Sequence, residues 1–127
     1  MMSRILVVDD HELNLQLTCI TLEMVGHEML VASNGQEAIE ICEKEPPDLV
    51  LMDLRMPVMD GENAMQHLKS NERTRHIPVV ALTASAMKGK REQLLASGFD
   101  GYIDKPIDVN TFAVTVAGFL KAEPDGA

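Results

Sequence analysis

The sequence predicts a doubly wound α/β sandwich, a parallel sheet of five strands with helices on both faces. Three observations point there. Short apolar runs alternate five times with longer amphipathic stretches, the pattern of repeated βαβ units. Several of the runs are continuously apolar rather than alternating, as in strands buried on both faces. The 127 residues, 46% of them hydrophobic and 24% charged, are enough for one core and too few for two ordinary domains.

The elements follow in order. Arg4 to Val8 is the first strand and runs into Asp9-Asp10. Leu13, Leu17, Ile20 and Met24 then recur at helical spacing up to Gly26, a helix stop. His27 to Ala32 gives a mixed, weaker strand signal. Gly35 to Lys44 reads as a helix with Ala38, Ile41 and Cys42 inward, ended by Pro46-Pro47. Asp48 to Asp53 is the third strand, Glu62 to Ser70 the third helix, and Ile77 to Thr83 the fourth strand. Ser85 to Ser97 makes the fourth helix, stopped by Gly98 and weakened in its first half by Gly89. Phe99 to Asp104 is the fifth strand. Val109 to Lys121 is the last helix, with Asp108 as N-cap and Phe112, Val116, Phe119 and Leu120 inward. The expected organisation is one domain over residues 1–121 and a short polar tail at 122–127.

Composition excludes several functions. Lys and Arg total 11 against 20 Asp and Glu, a formal net charge of -9, so a nucleic-acid backbone would be repelled. With 3% aromatic residues and no Trp, the stacking platform of a single-strand binder is missing as well. No signal peptide or membrane-spanning run is visible, and a cytoplasmic protein without membrane insertion is expected. Cys19 and Cys42 lie in helix-like sequence without zinc-ligand spacing, which favours buried reduced thiols over a disulfide or metal role.

In doubly wound folds ligands bind beyond the carboxyl ends of the strands. There this sequence places Asp9-Asp10, Asp53, Thr83 and Asp104-Lys105-Pro106. Crowded carboxylates call for a hard divalent cation, for which Mg²⁺ is suited. The cation and Lys105 would then neutralise a transferring phosphoryl group, and Asp53, closing the most apolar strand, is the candidate nucleophile. Singly, each residue has a plainer role: an N-capping acid, a turn residue, a loop hydroxyl, a solvated lysine. Their conjunction at the ends of four different strands favours a site.

These residues also carry a family resemblance. Ile5-Leu6-Val7-Val8-Asp9-Asp10, the run from Leu49 to Gly61, Pro78 to Ala84, and Gly101-Tyr102-Ile103-Asp104-Lys105-Pro106 together resemble a two-component response-regulator receiver domain of the single-domain, chemotaxis-regulator type. The resemblance covers essentially the whole chain and implies a flavodoxin-like sheet of order 2-1-3-4-5. It implies that Asp53 accepts a phosphoryl group from a phosphohistidine on a histidine kinase or histidine phosphotransfer protein. Asp9, Asp10, Asp53 and the backbone carbonyl of Arg55 would hold Mg²⁺. Thr83 and Lys105 would contact the phosphoryl group, the small Ala84 would leave its N–H accessible, and Pro106 would follow a cis peptide bond. Thr83 moving inward would make room for Tyr102, the switch aromatic, and alter a protein-binding face on the fourth helix, fifth strand and fifth helix.

Such a domain catalyses its own phosphorylation and dephosphorylation and is not otherwise an enzyme. Its output passes to a downstream protein, and a phosphorylation-dependent homodimer stays open. A stand-alone regulator is favoured over a receiver cut from a hybrid histidine kinase or larger regulator. A haloacid-dehalogenase-type phosphatase shares the Asp nucleophile, Mg²⁺, Thr and Lys, but needs an acid where Arg55 stands. A flavin carrier should have a phosphate loop where the acidic run Asp9-Asp10-His11-Glu12 occurs. Arg55 and Ser85 flank the phosphoryl position and bear on its lifetime. Met56 and Met59 read as gap fillers under the loop rather than as docking residues. His11 reads as a first-turn helix residue, not as a phosphorelay histidine.

Overall fold

A computed structural model describes residues 3–54, 59–83, 88–104 and 110–121, with the backbone alone at 88–91, 104 and 121. The chain runs β1 (Arg4–Val8), α1 (Glu12–Glu23), β2 (Glu28–Ala32), α2 (Gly35–Lys44), β3 (Leu49–Asp53), α3 (Gly61–Lys69), β4 (Val79–Thr83), α4 (Lys88–Ser97), β5 (Gly101–Asp104) and α5 (Phe112–Lys121). All strand pairs are parallel and the order is β2-β1-β3-β4-β5. This is the doubly wound sandwich and strand order expected.

Two apolar layers hold the sheet. On one face Leu6, Val8, Val50, Met52, Val79 and Ala81 meet α2, α3 and α4 through Ala38, Cys42, Ala64, Met65, Leu68 and Leu94. On the other, Ile5, Val7, Leu49, Leu51, Val80 and Leu82 meet α1 and α5 through Leu22, Phe112 and Val116. Every residue of β3 and β4 is buried, which is why those strands read as unbroken apolar runs. Each fully buried Leu, Ile or Val side chain contributes roughly 1.5–3 kcal/mol against exposure. β2 lies at the sheet edge with Glu28 and Val31 exposed, the physical reason for its mixed signal.

Element ends follow local chemistry. Asn34 caps α2, its side-chain oxygen accepting the Glu37 N–H at 2.9 Å, and Asp60 caps α3 through the Asn63 N–H at 2.9 Å. Gly26 (φ 97°) and Gly98 (φ 125°) take the left-handed conformation that lets the chain leave α1 and α4.

Several boundaries differ from expectation, among them the starts of β4 and β5. β4 begins at Val79 rather than Ile77, because Ile77 donates its N–H to Thr74 in a turn and Pro78 has none to give. β5 begins at Gly101 rather than Phe99, whose N–H closes back onto Leu94. In α1 the stripe Leu13, Leu17, Ile20 and Met24 faces solvent, at 79%, 41%, 55% and 80% exposure. The buried face of that helix is Thr18 and Leu22, with Leu15 and Cys19 packed partly against the core. In α5 Phe112 and Val116 are buried and Phe119 and Leu120 pack partly against the same core, as the helical spacing required. Both cysteines are free thiols. Met59 is half-buried against the α2–α3 layer, while Met56 and the Asp108 cap lie outside the described residues.

Candidate phosphoacceptor site at the carboxyl edge of the sheet

Strand register builds the site. Val8 pairs with Met52, so Asp9, one residue past β1, and Asp53, the last residue of β3, come to lie side by side. Strand order reverses between β1 and β3, which opens a crevice at their carboxyl ends. By the two-residue alternation of strands, Asp9 follows Ile5 and Val7, and Asp53 follows Leu49 and Leu51, onto the face of α1 and α5. Thr83 follows Val79 and Ala81 onto the opposite face. Tyr102 pairs with Ala81 and packs half-buried on that same face, so Tyr102 and Thr83 share it.

The backbone of Asp53 is clamped from below. Gly61, at the start of α3, donates its N–H to the Leu54 carbonyl at 3.2 Å. A Cβ on Gly61 would collide with the Asp53 carbonyl oxygen and stand 3.0 Å from the Leu54 Cα. Only glycine lets α3 start this close behind the site. On the neighbouring strand, Asp9 donates its N–H to Ala32 at 3.1 Å, and its Oδ1 accepts the His11 N–H at 2.9 Å.

Asp9 and Asp53 are buried, at 1% and 7% exposure, and Thr83 at 5%. Asp10 is more open. One ligand atom from each of Asp9, Asp10, His11 and Asp53 lies within 4.8 Å of all the others. Two full negative charges at such a separation repel by about 3 kcal/mol at an effective dielectric constant near 20. A divalent cation removes that repulsion. Carboxylate oxygens at this spacing are the donor set a hard cation takes, so the residues present fit such an ion.

Four expected site residues, Arg55, Ala84, Lys105 and Pro106, lie outside the described residues, as does Ser85. Asp9, Asp10 and Asp53 are brought together, and Thr83 closes the adjacent strand. His11 was not expected in this group. It is the N-cap of α1, one residue ahead of the first turn, and its side chain makes no cap hydrogen bond. Its Nδ1 lies 3.4 Å from Asp10 Oδ1 and 3.7 Å from Asp9 Oδ1. The signal available for it was adjacency alone, an imidazole directly following two acids at a strand end.

A doubly wound sheet with this acidic cluster at the β1/β3 crevice defines a class, and the chain belongs to the response regulator receiver domain family, whose model matches residues 5–117. It is 40% identical over 116 residues to the polar-differentiation response regulator DivK of Brucella anthropi, covering 91% of this chain and 94% of that protein. The DivK of Brucella ovis is 39% identical over 120 residues, covering 94% and 98%. Among solved structures, the chemotaxis response regulator CheY4 of Vibrio cholerae superposes with a TM-score of 0.87 at 28% identity, over 93% of this chain and 98% of that one. The receiver domain of a Pseudomonas aeruginosa sensor histidine kinase, with magnesium coordinated in its active-site cleft, gives 0.83 at 30% identity over 97% and 98%. The chain is thus a signalling domain of two-component systems, similar to DivK and to chemotaxis regulators. Among the described residues no helix is long and apolar enough to cross a membrane.

Proposed function

We propose that this chain is a cytoplasmic, stand-alone phosphoacceptor regulator, a receiver unit over residues 1–121 that takes a phosphoryl group on Asp53. The observation that carries this reading is the packing of Asp53 beside Asp9 and Asp10, with ligand atoms within 4.8 Å, at the end of a buried strand. A carboxylate oxygen of Asp53 bonds to phosphorus as the phosphorus–nitrogen bond of a donor phosphohistidine breaks, and the released imidazole takes up a proton. Asp9, Asp10, Asp53 and the Arg55 carbonyl would hold Mg²⁺, which would offset charge on the transferring group. The magnesium in the Pseudomonas aeruginosa receiver supports this assignment. Thr83 would donate to a phosphoryl oxygen, the Ala84 N–H to another, and Lys105 would pair with the group. Thr83 and Tyr102 share a sheet face, which supports coupling of the hydroxyl's movement to the aromatic ring. The altered surface formed by α4, β5 and α5 is what a downstream protein reads. The curated relatives, which are response regulators, are matched over 94% to 98% of their own length, which supports the regulator reading.

The exposed stripe Leu13, Leu17, Ile20 and Met24 leads away from Asp10 and His11 along α1. Its continuity with the site makes it the docking face for the phosphodonor protein. The test is incubation with a small acyl phosphate and Mg²⁺, read by intact mass. Wild type gains one phosphoryl group and Asp53→Asn gains none. An undiminished adduct on Asp53→Asn overturns the assignment, and steady turnover of an unrelated phosphate ester supports a phosphatase instead. Leu17→Glu slows transfer from a phosphohistidine protein about tenfold or more, as loss of a central apolar anchor does, while labelling by the small donor is unchanged. Equal slowing with both donors removes the docking role.

A further inference from the structure

We propose that His11 supplies a nitrogen ligand to the metal site, so that this site takes borderline divalent ions such as Co²⁺ and Ni²⁺ in preference to Mg²⁺ at equal concentration. The inference rests on the reading of Asp9, Asp10 and Asp53 as that site. Three features carry it. The His11 ligand nitrogen lies within 4.8 Å of a ligand oxygen of each of the three acids, and its Nδ1 is 3.4 Å from Asp10 Oδ1 and 3.7 Å from Asp9 Oδ1. Around an ion with bonds of about 2.1 Å, adjacent donor atoms stand about 3 Å apart and opposed ones about 4.2 Å, so these separations suit donors converging on one ion. The ring is not engaged in capping α1, while the backbone N–H of His11 donates to Asp9 Oδ1 at 2.9 Å, which fixes that residue beside the cluster. The side chain is 73% exposed, so an ion reaches it from solvent.

Ligand chemistry then sets the selectivity. Mg²⁺ keeps oxygen ligands and sheds water reluctantly, so an imidazole adds little to its binding. Ions further along the first-row series gain from a nitrogen donor. The same ring carrying a proton would do the opposite and act as a cation competing for the carboxylates.

The experiment is calorimetric titration of the full chain with Mg²⁺, Co²⁺ and Ni²⁺, together with the visible spectrum of the Co²⁺ form, for wild type, His11→Ala and Asp10→Asn. His11→Ala is expected to weaken Co²⁺ and Ni²⁺ about tenfold, leave Mg²⁺ within about twofold, and shift the Co²⁺ bands, as loss of one nitrogen donor does. Asp10→Asn weakens all three ions. Unchanged affinities and bands in His11→Ala, with the Asp10→Asn effect intact, overturn the ligand role alone. Tighter binding of all three ions in His11→Ala assigns the ring as a competing cation and overturns it too. Undiminished binding of every ion by Asp10→Asn removes the metal site itself, and the His11 proposal with it.

Discussion

The two edges of the sheet treat charge in opposite ways. At the amino edge Glu28, Glu45, Asp48 and Asp100 each meet a donor. The Arg4 guanidinium reaches Glu28 at 3.4 Å and Glu45 at 3.7 Å, and the Arg4 N–H donates to Asp48 at 2.8 Å. Lys69 binds Asp100 at 2.8 Å and also donates to the Ile77 carbonyl, while the same Asp100 oxygen accepts the Val79 N–H at 2.7 Å. At the carboxyl edge Asp9, Asp10 and Asp53 stand within 4.8 Å of one another, two of them buried. The first arrangement is complete within the protein and serves the fold. The second brings three carboxylates close together, and a bound cation would offset their mutual repulsion. Function sits at the edge where folding is least served.

One isosteric change made at both edges tests this contrast. Asp100→Asn removes a charge-assisted bond to Lys69 and weakens the acceptor for Val79. With Asp100 44% exposed, a loss of about 1 kcal/mol is expected rather than the larger value of a buried pair. Asp10→Asn in metal-free buffer removes repulsion from two carboxylates and should raise stability by roughly 0.5–1 kcal/mol, the attraction of the α1 N-terminus for a negative charge offsetting part of the gain. Adding Mg²⁺ reverses the order at the carboxyl edge, because wild type gains more from binding. Urea midpoints for the three proteins, with and without Mg²⁺, decide it. Equal signs at the two edges in metal-free buffer would remove the distinction.

Much of this was legible beforehand because burial on both faces leaves a continuous apolar run. β1 and β3 end at Asp9-Asp10 and Asp53, so locating the runs located the acids. The parallel register then turned sequence position into proximity. Two things were not legible. The buried face of α1 uses Thr18 and Cys19 beside Leu15 and Leu22, so polarity did not separate it from the exposed stripe, and helical spacing alone does not say which side meets the sheet. His11 joins the cluster through the turn between β1 and α1, a local backbone path that periodicity does not encode. Strand starts at Ile77 and Phe99 were set too early because both residues are buried and apolar, while their N–H groups serve turns instead of the ladder.

Between the two edges lies a layer that admits no charge, and Cys42 measures it. Burial between α2 and the sheet, with the negative charge of Glu43 adding a smaller push, raises its thiol pKa from 9.0 to about 12. The folded pKa is above the unfolded one, so the thiol's contribution to stability is intact below pH 9. It falls as the unfolded chain ionises and the folded chain does not, and this loss continues toward pH 12. Other groups can ionise in alkaline solution as well, so the comparison must be with Cys42→Ala, which shares them. Wild type should lose more stability than Cys42→Ala as pH rises from 9 to 11, and the two should run parallel below pH 8, read from urea midpoints under reducing conditions. Parallel curves throughout would mean that water or a counterion reaches the thiolate, and that the charge-free layer is thinner than the packing of Ala38, Cys42 and Met65 against the sheet requires.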